Sequence, residues 1–377
     1  MAAPTQAVID AIMAGKTRVT RRAEIYESDG LTLWRSDLPV NVKAGSVSVD
    51  STREERRNLD LTLDNSDHAI VHDPNSGLWY DKIIKAYRGV ILDDGTSWET
   101  QLGEFMIDTI SEPNFPNEIK ITARDYTKKM LNTKLDVAVT FAWGTQIDTL
   151  VKSLAALAGI TRFKLNAQGA ILTATSSFDR ETDYWSALKT MCDAANIELY
   201  FDSRGFLTTR HFLDPVLSPV TLVLQTGPDA GNLVSFTKQS DDSRLYNYVV
   251  VTATSESATA TGGILFQTIS QNINANSPTR IARIGRRSYY YSSSMFTNKD
   301  QCQKYGDRLL KVTALESYNL DFSSLVFPWL ESGEIVQYID PNAATGEPDR
   351  YLLSNFSVSL ALGPMAGNAK RVTIVGT

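Results

Sequence analysis

The 377-residue chain is poor in the residues that most chemistry uses, with two cysteines and three histidines. The thiols, Cys192 and Cys302, are too few and too far apart for a disulfide framework. They fit a protein made in a reducing cytoplasm, and Cys192, in an apolar helical pattern, reads as a small buried hydrophobe. No apolar run approaches the roughly 20 residues of a membrane span, so no stable membrane insertion is expected. The first apolar stretch, Ala7 to Ala14, is short, holds Asp10 and lacks a preceding basic region, unlike a signal peptide. A basic excess is missing too: 37 Lys and Arg against 43 Asp and Glu give a net charge of −6. That argues against a general nucleic-acid coat, which needs a basic stripe to replace phosphate counterions. There is no Gly-x-Ser-x-Gly elbow, phosphate-binding glycine loop or Cys-x-x-Cys pair.

What is present is globular material. Hydrophobic residues make up 42% and charged residues 21%, enough for a core, and the length predicts two or three domains. Residues 4–15 read as a short helix, with Pro4 near its first turn and Gly15 as its stop. A lone helix of this length needs something to pack on, either its own domain or a neighbouring subunit. From residue 17 the period changes to two. Val19, Ala23 and Ile25 lead through Ser28-Asp29-Gly30 to a return at Leu31 to Trp34; Val47 and Val49 alternate with serines, and Leu59, Leu61 and Leu63 with Asp60 and Thr62. Such alternation marks strands with one wet and one packed face, hence antiparallel sheets. Residues 68–78 read as a loop. Lys82 to Leu92, Asp93-Asp94-Gly95-Thr96 and Trp98 to Ile110 predict a hairpin, with Leu102, Phe105 and Ile107 on one face. Glu118 to Asp125 is a further strand, entering a short helix at Tyr126 to Asn132.

An α/β stretch follows at about 133–213. Thr145 to Gly159 predicts a helix with Thr145 as N-cap, and Asp183 to Ala195 a second with Asp183 as N-cap. Ile197 to Phe201 and Phe206 to Arg210 make a hairpin. After Pro215 and Pro219 come a buried strand at Arg244 to Thr252, a small polar loop at 255–263, an amphipathic helix at Asn298 to Ala314 and closing strands at 320–322, 335–338, 351–359 and 370–375.

Three groupings carry possible chemistry. His68 and His72, flanked by Asp67 and Asp73, are four apart, but Ala69 stands where a zinc protease motif needs Glu, and the segment reads as a solvated loop. His211 is isolated and reads as structural. Asp108 with Glu112, and Asp179 with Glu181 and Asp183, offer the carboxylates a glycosidase needs across a cleft, yet read as turn and cap residues. Arg283, Arg286 and Arg287 precede Tyr289, Tyr290 and Tyr291, a pattern open to single-stranded nucleic acid or to a strand whose tyrosines alternate between core and interface; the second is preferred. No residue is assigned a catalytic, cofactor-binding or metal role, and no cofactor is expected.

No residue-level repeat stands out, although residues 17–132 and 233–377 each hold several strands and a short helix. The order of short segments is more informative. Tyr87-Arg88-Gly89-Val90-Ile91, Lys120 to Tyr126 with Leu131, the Ile147 to Gly159 helix, Tyr184 to Leu188 before Tyr200 to Gly205, Arg244 to Val251, and Pro328 to Val336 span about residues 80–360. In that order they resemble the baseplate-hub family of phage tails, which includes the late control protein of contractile phages and minor, tail-tip proteins of long non-contractile tails. The resemblance implies an α+β, β-rich fold with two tube-forming antiparallel β-barrel-like domains, at 17–132 and 214–377, around an inserted small α/β domain at 133–213, after an N-terminal helical arm at 1–16. It implies a non-enzymatic virion protein at the distal end of the tail, made in the host cytoplasm. Homotrimerisation would give a ring of six similar domains, matching the tail tube above and a three-fold tip, fibre or spike below. Its partners would be itself, the tail-tube or distal tail protein, the tip protein, the tape measure protein in the channel, and DNA in transit. The mild negative charge suits such a channel. A tail-associated cell-wall glycan hydrolase and a host carbohydrate-binding module are the alternatives.

Overall fold

The computed structural model describes residues 4–15, 18–35, 41–113, 117–227, 231–240, 242–243, 245–254, 263–314, 319–339 and 349–372. Residues 255–262 of the loop expected at 255–263, Arg244 of the expected buried strand and the end of the expected final strand at 373–375 lie outside the described residues.

Helix α1 (Gln6–Met13) buries Val8 and Ile12 in the chain's own largest core. Strands β1 (Arg18–Tyr26), β2 (Val42–Asp50), β3 (Arg57–Asp64), β4 (Ile83–Ile91), β5 (Ser97–Ser111) and β6 (Glu118–Arg124) follow. In β3 the alternation becomes burial, with Leu59, Leu61 and Leu63 inside and Asp60 and Asp64 outside. The β4–β5 hairpin closes where the Leu92 N–H donates to the Thr96 carbonyl at 2.8 Å, and Gly95 takes φ +84°. A bulge where Ala86 and Tyr87 face Gly103 and Gln101 shifts the alternation, which lets Leu102, Phe105 and Ile107 all be buried.

The expected return strand at Leu31 to Trp34 is instead a loop with one bridge, Tyr26 to Leu33. The Asp29 carboxylate accepts the N–H groups of Leu31 and Thr32, holding the chain in a turn, while all nine β1 residues pair with β4.

Helix α2 (Thr127–Asn132) leads into β7 (Val139–Phe141), α3 (Ile147–Leu157), β8 (Phe163–Lys164), β9 (Ser176–Phe178), α4 (Tyr184–Ala194), β10 (Ile197–Phe201) and β11 (Leu207–His211), packed around a second core. Asp183 caps α4, accepting from the Ser186 N–H at 2.7 Å. Thr145 does not cap α3: its hydroxyl donates to the Ala142 carbonyl at 2.8 Å, and Gln146 holds the cap position.

The chain continues through β12 (Val220–Gln225), β13 (Leu233–Gln239), β14 (Tyr248–Thr254), β15 (Ile264–Gln271), α5 (Ile281–Ile284), β16 (Ser288–Ser293) and α6 (Lys299–Ala314). It ends in β17 (Asn319–Ser324), β18 (Ile335–Ile339), β19 (Asp349–Ser359) and β20 (Met365–Arg371). Strands β14, β15 and β16 form a sheet of their own, and with α6 they enclose a third, small core.

The other strands of the two ends build one 12-stranded sheet. The fold is β-rich α+β, and its sheet is internally duplicated. The first half runs β1-β4-β5-β6-β3-β2 and the second β12-β18-β19-β20-β17-β13. Replacing each strand by its counterpart in chain order turns one into the other. Registers agree as well. Ile83 faces Met106 as Ile335 faces Leu352, and Leu59 faces Ala123 as Leu320 faces Ala369. The ladders slip at matching places: after Ile107 and after Leu353 against their partners, and after Val42 and after Leu233. One pairing differs in direction, β1 to β4 being antiparallel and β12 to β18 parallel. The halves join edge to edge through β2 and β19, and their apolar faces share one core.

Candidate assembly site

Besides the outer strands β1 and β12, two further stretches of this sheet have a partner strand on one side only. Strand β13 pairs with β17 on one side only, and from Val234 to Gln239 its residues are exposed. Val234 is 65% and Phe236 39% exposed, although the Phe236 ring still rests on Tyr338 at 4.9 Å. Lys238 lies over the same Tyr338 ring, 4.8 Å from its centre.

The other stretch belongs to the 15-residue β5. Strand β4 accompanies it from Ser97 to Met106, and β6 flanks its other side from Met106 to Ser111. From Ile107 to Ser111 the β4 side has no strand against it among the described residues. In the second half, β2 fills the corresponding place: β18 stops at Leu352, and β2 pairs with Asn355 to Ser359 on that side of β19.

A buried ionic cluster locks the sheet to the α/β unit. Arg56 and Arg57, 4% and 1% exposed, follow the turn after β2. Arg56 pairs with Glu198 of β10, and Arg57 with Glu331 of the loop before β18. Arg210 of β11 also reaches Glu198 at 2.6 Å, and both Arg56 and Arg210 stack on Tyr200. Burial pushes the Glu198 carboxyl up, but the two guanidiniums hold it below the usual carboxylate range. Beside them the Arg57 N–H donates to Asp125 at 3.0 Å; full burial raises that carboxyl to about 6 against the pull of its hydrogen bonds. No local pattern announces this cluster, because Arg56 and Glu198 are 142 positions apart.

The groupings singled out by sequence are dispersed. Asp67 accepts from the Ala69 N–H and Asp73 from those of Asn75 and Ser76, so both shape the loop. His72 stacks on Trp79 at 5.1 Å and His68 meets the Asn117 amide at 3.3 Å. Among the described residues no group of three His, Cys, Asp or Glu could hold a metal ion. Asp108 pairs with Arg124 at 2.7 Å and Lys128 at 3.0 Å, Asp183 is a helix cap, and Glu181 is exposed. Tyr289 and Tyr291 turn inward onto Tyr246 and Tyr305, whereas Tyr290 is 67% exposed. Arg286 lies 3.5 Å from the centre of the Tyr248 ring, and Arg287 pairs with Asp242.

Burial raises the thiol pKa of both free cysteines, that of Cys302 to about 11. A cavity of about 590 Å³ between β11 and α6 is lined by Glu198, Asp214 and Asp307 among others. Burial raises the Asp214 carboxyl, but Lys311 at 2.7 Å holds it below the usual range, as the arginines do Glu198. Asp307 accepts from Ser270 and Gln303. No helix among the described residues is long and apolar enough to cross a membrane.

The fold is shared with solved tail proteins, two of them from prophages. The chain is similar to the tail protein from Neisseria meningitidis MC58, with 15% identity and a TM-score of 0.66 over 94% of this chain and 96% of that one. It is also similar to the 43 kDa tail protein of prophage MuSo2 from Shewanella oneidensis, with 13% identity and a TM-score of 0.63 over 94% and 98%. Prophage tail protein gp18 from Listeria monocytogenes EGD-e follows at 12% identity and 0.59 over 93% and 94%. No protein-family model and no curated protein sequence matches the chain.

Proposed function

We propose that the chain is a structural hub of a phage tail tip, which joins the tail tube to the distal tip, fibre or spike. The observation that carries this reading is the duplication: one chain supplies two copies of one six-strand arrangement, side by side in a continuous sheet. Three chains in a closed ring then offer six similar modules to a six-fold tube and only three-fold symmetry to whatever lies beyond. In this reading residues 17–132 and 214–377 build the tube layer, with the 245–314 sheet as an excursion from the second. Residues 133–213 form the inserted unit and 1–16 an arm.

The work of such a protein is assembly and symmetry adaptation around a channel, without covalent chemistry. Its partners are further copies of itself, the tube protein, the tip protein and the tape measure protein, with DNA passing through at ejection. The net charge of −6 suits a wall along which DNA slides without sticking. The fold shared with solved tail proteins over nearly the whole chain supports a virion location at the distal end of the tail.

The test is the mass of the purified protein by light scattering, with electron-microscopy class averages of the protein and of intact tails. A ring of three at the tail tip is expected. A stable monomer that is absent from the tip would sink the reading, and glycan binding by monomers would favour a carbohydrate-binding module instead.

A further inference from the structure

We propose that β13 of one copy docks on the unpartnered half of β5 of the next copy, in the register that the intrachain join of β2 and β19 already displays. This rests on the ring reading above and adds which edges meet, and residue by residue how.

The duplication supplies the template. Matching bulges make Asn355 to Ser359 the counterparts of Thr109 to Pro113, and Ser46 to Val49 those of Thr237 to Ser240. Within the chain, Phe356 faces Val49, Ser357 faces Ser48 and Val358 faces Val47. Transferred to the free edges, Ile110 would face Ser240, Ser111 Gln239 and Glu112 Lys238 of the neighbouring copy.

Three features of the free edges agree with this. Both are exposed where the template is covered, since Ser111, Glu112 and residues 234–239 face solvent. Exposed edge strands are paired or guarded in stable proteins, because unpaired N–H and C=O groups template further strands. The transferred register also sets Glu112 opposite Lys238, where the template has the buried apolar pair Val358 and Val47. Opposite charges directly across an antiparallel pair are favourable and like charges are not, so that site discriminates register. The ladder has a natural end as well, since Pro113 has no N–H to give. The join is head to tail and uses two different surfaces per copy, so it continues around a ring.

The test combines cross-linking with mass measurement on the full chain. Directly opposed residues in an antiparallel pair have Cα atoms about 5 Å apart, within disulfide reach, whereas a four-residue offset places them about 14 Å apart. A Ser111→Cys and Gln239→Cys double variant should therefore form covalent rings on mild oxidation, and Ser111→Cys with Ser235→Cys should not. Lys238→Glu should weaken association about tenfold, and adding Glu112→Lys should restore it. Circular dichroism of each variant shows that it folds. If the protein assembles into rings while the 111–239 pair stays reduced and Lys238→Glu has no effect, the edge assignment falls and the ring reading stands. If the wild-type chain remains monomeric up to the concentrations used for microscopy, both fall.

Discussion

Val47 of β2 lies directly opposite Val358 of β19, each 1% exposed, and this pair stitches the two copies of the six-strand arrangement into one sheet. Across the same boundary Trp98 of the first half packs edge-on against Trp329 of the second, with ring centres 5.8 Å apart. The halves thus share a core, and they should unfold as one unit. Val358→Ala removes two buried carbons and should cost about 1.5–3 kcal/mol. Tryptophan fluorescence and far-ultraviolet circular dichroism should report the same lowered urea midpoint. Separate transitions by the two probes would show that the halves unfold independently.

Glu198 is the shared acceptor of the buried Arg56 and the part-buried Arg210 guanidiniums. Glu198→Ala leaves Arg56 and Arg210 with only the Glu331 side of the cluster, and Arg56 reaches Glu331 at a long 3.8 Å. Removing one partner of a buried ion pair costs about 3–5 kcal/mol, because the remaining charge is uncompensated. That loss should appear in the denaturant midpoint. A cost below about 1 kcal/mol would mean that solvent already reaches the cluster.

Gly89 sits in β4 between β1 and β5, where a Cβ would collide with the Trp98 carbonyl, the Glu99 Cα and the Thr20 hydroxyl. Strands on both sides prevent β4 from moving away. Gly89→Ala should therefore cost about 1–3 kcal/mol, the range of overpacked sites, measured as a fall in melting temperature. Gly363, whose Cβ would meet only Ser359 at 3.9 Å, lacks this collision.

The strands were legible because burial on one face leaves a period of two: Leu59, Leu61 and Leu63 point inward, and Tyr289 and Tyr291 pack while Tyr290 does not. The Asp94-Gly95 turn and the Asp183 cap were legible because their geometry is local. The duplication showed only coarsely, as two stretches of several strands and a short helix, because it survives as register and bulge position rather than as residue identity. Leu61 answers to Phe322, Phe105 to Tyr351 and Leu63 to Ser324, which keeps side chains on matching faces while changing their size or polarity. Nor does alternation guarantee a strand: Leu31 to Trp34 alternates, yet with Asp29 holding the chain in a turn it reaches the outer side of β1 only through the Tyr26–Leu33 bridge. The ionic cluster was hidden by distance, Arg57 and Glu331 being 274 positions apart.

Asp125 should give the protein a pH dependence opposite in sign to that of its paired carboxylates. Its carboxyl is fully buried, and desolvation raises it to about 6, although the N–H groups of Arg57 and Thr127 pull the other way. A carboxyl raised in the folded state binds its proton more tightly there than in the unfolded chain, where the value is about 3.9. Its stabilising contribution is complete below pH 4 and is lost as pH rises through about 6. The shift of about two pH units corresponds to about 3 kcal/mol. Asp108, pushed up by burial but held below its ordinary value by Arg124 and Lys128, acts in reverse and loses stability as pH falls. Asp125→Asn removes the first contribution alone. The stability of wild type minus that of Asp125→Asn, from urea unfolding at pH 4 to 7.5, should therefore shrink by up to about 3 kcal/mol as pH rises. A difference that stays constant across this range would mean that Asp125 is ionised throughout, its two backbone hydrogen bonds outweighing burial.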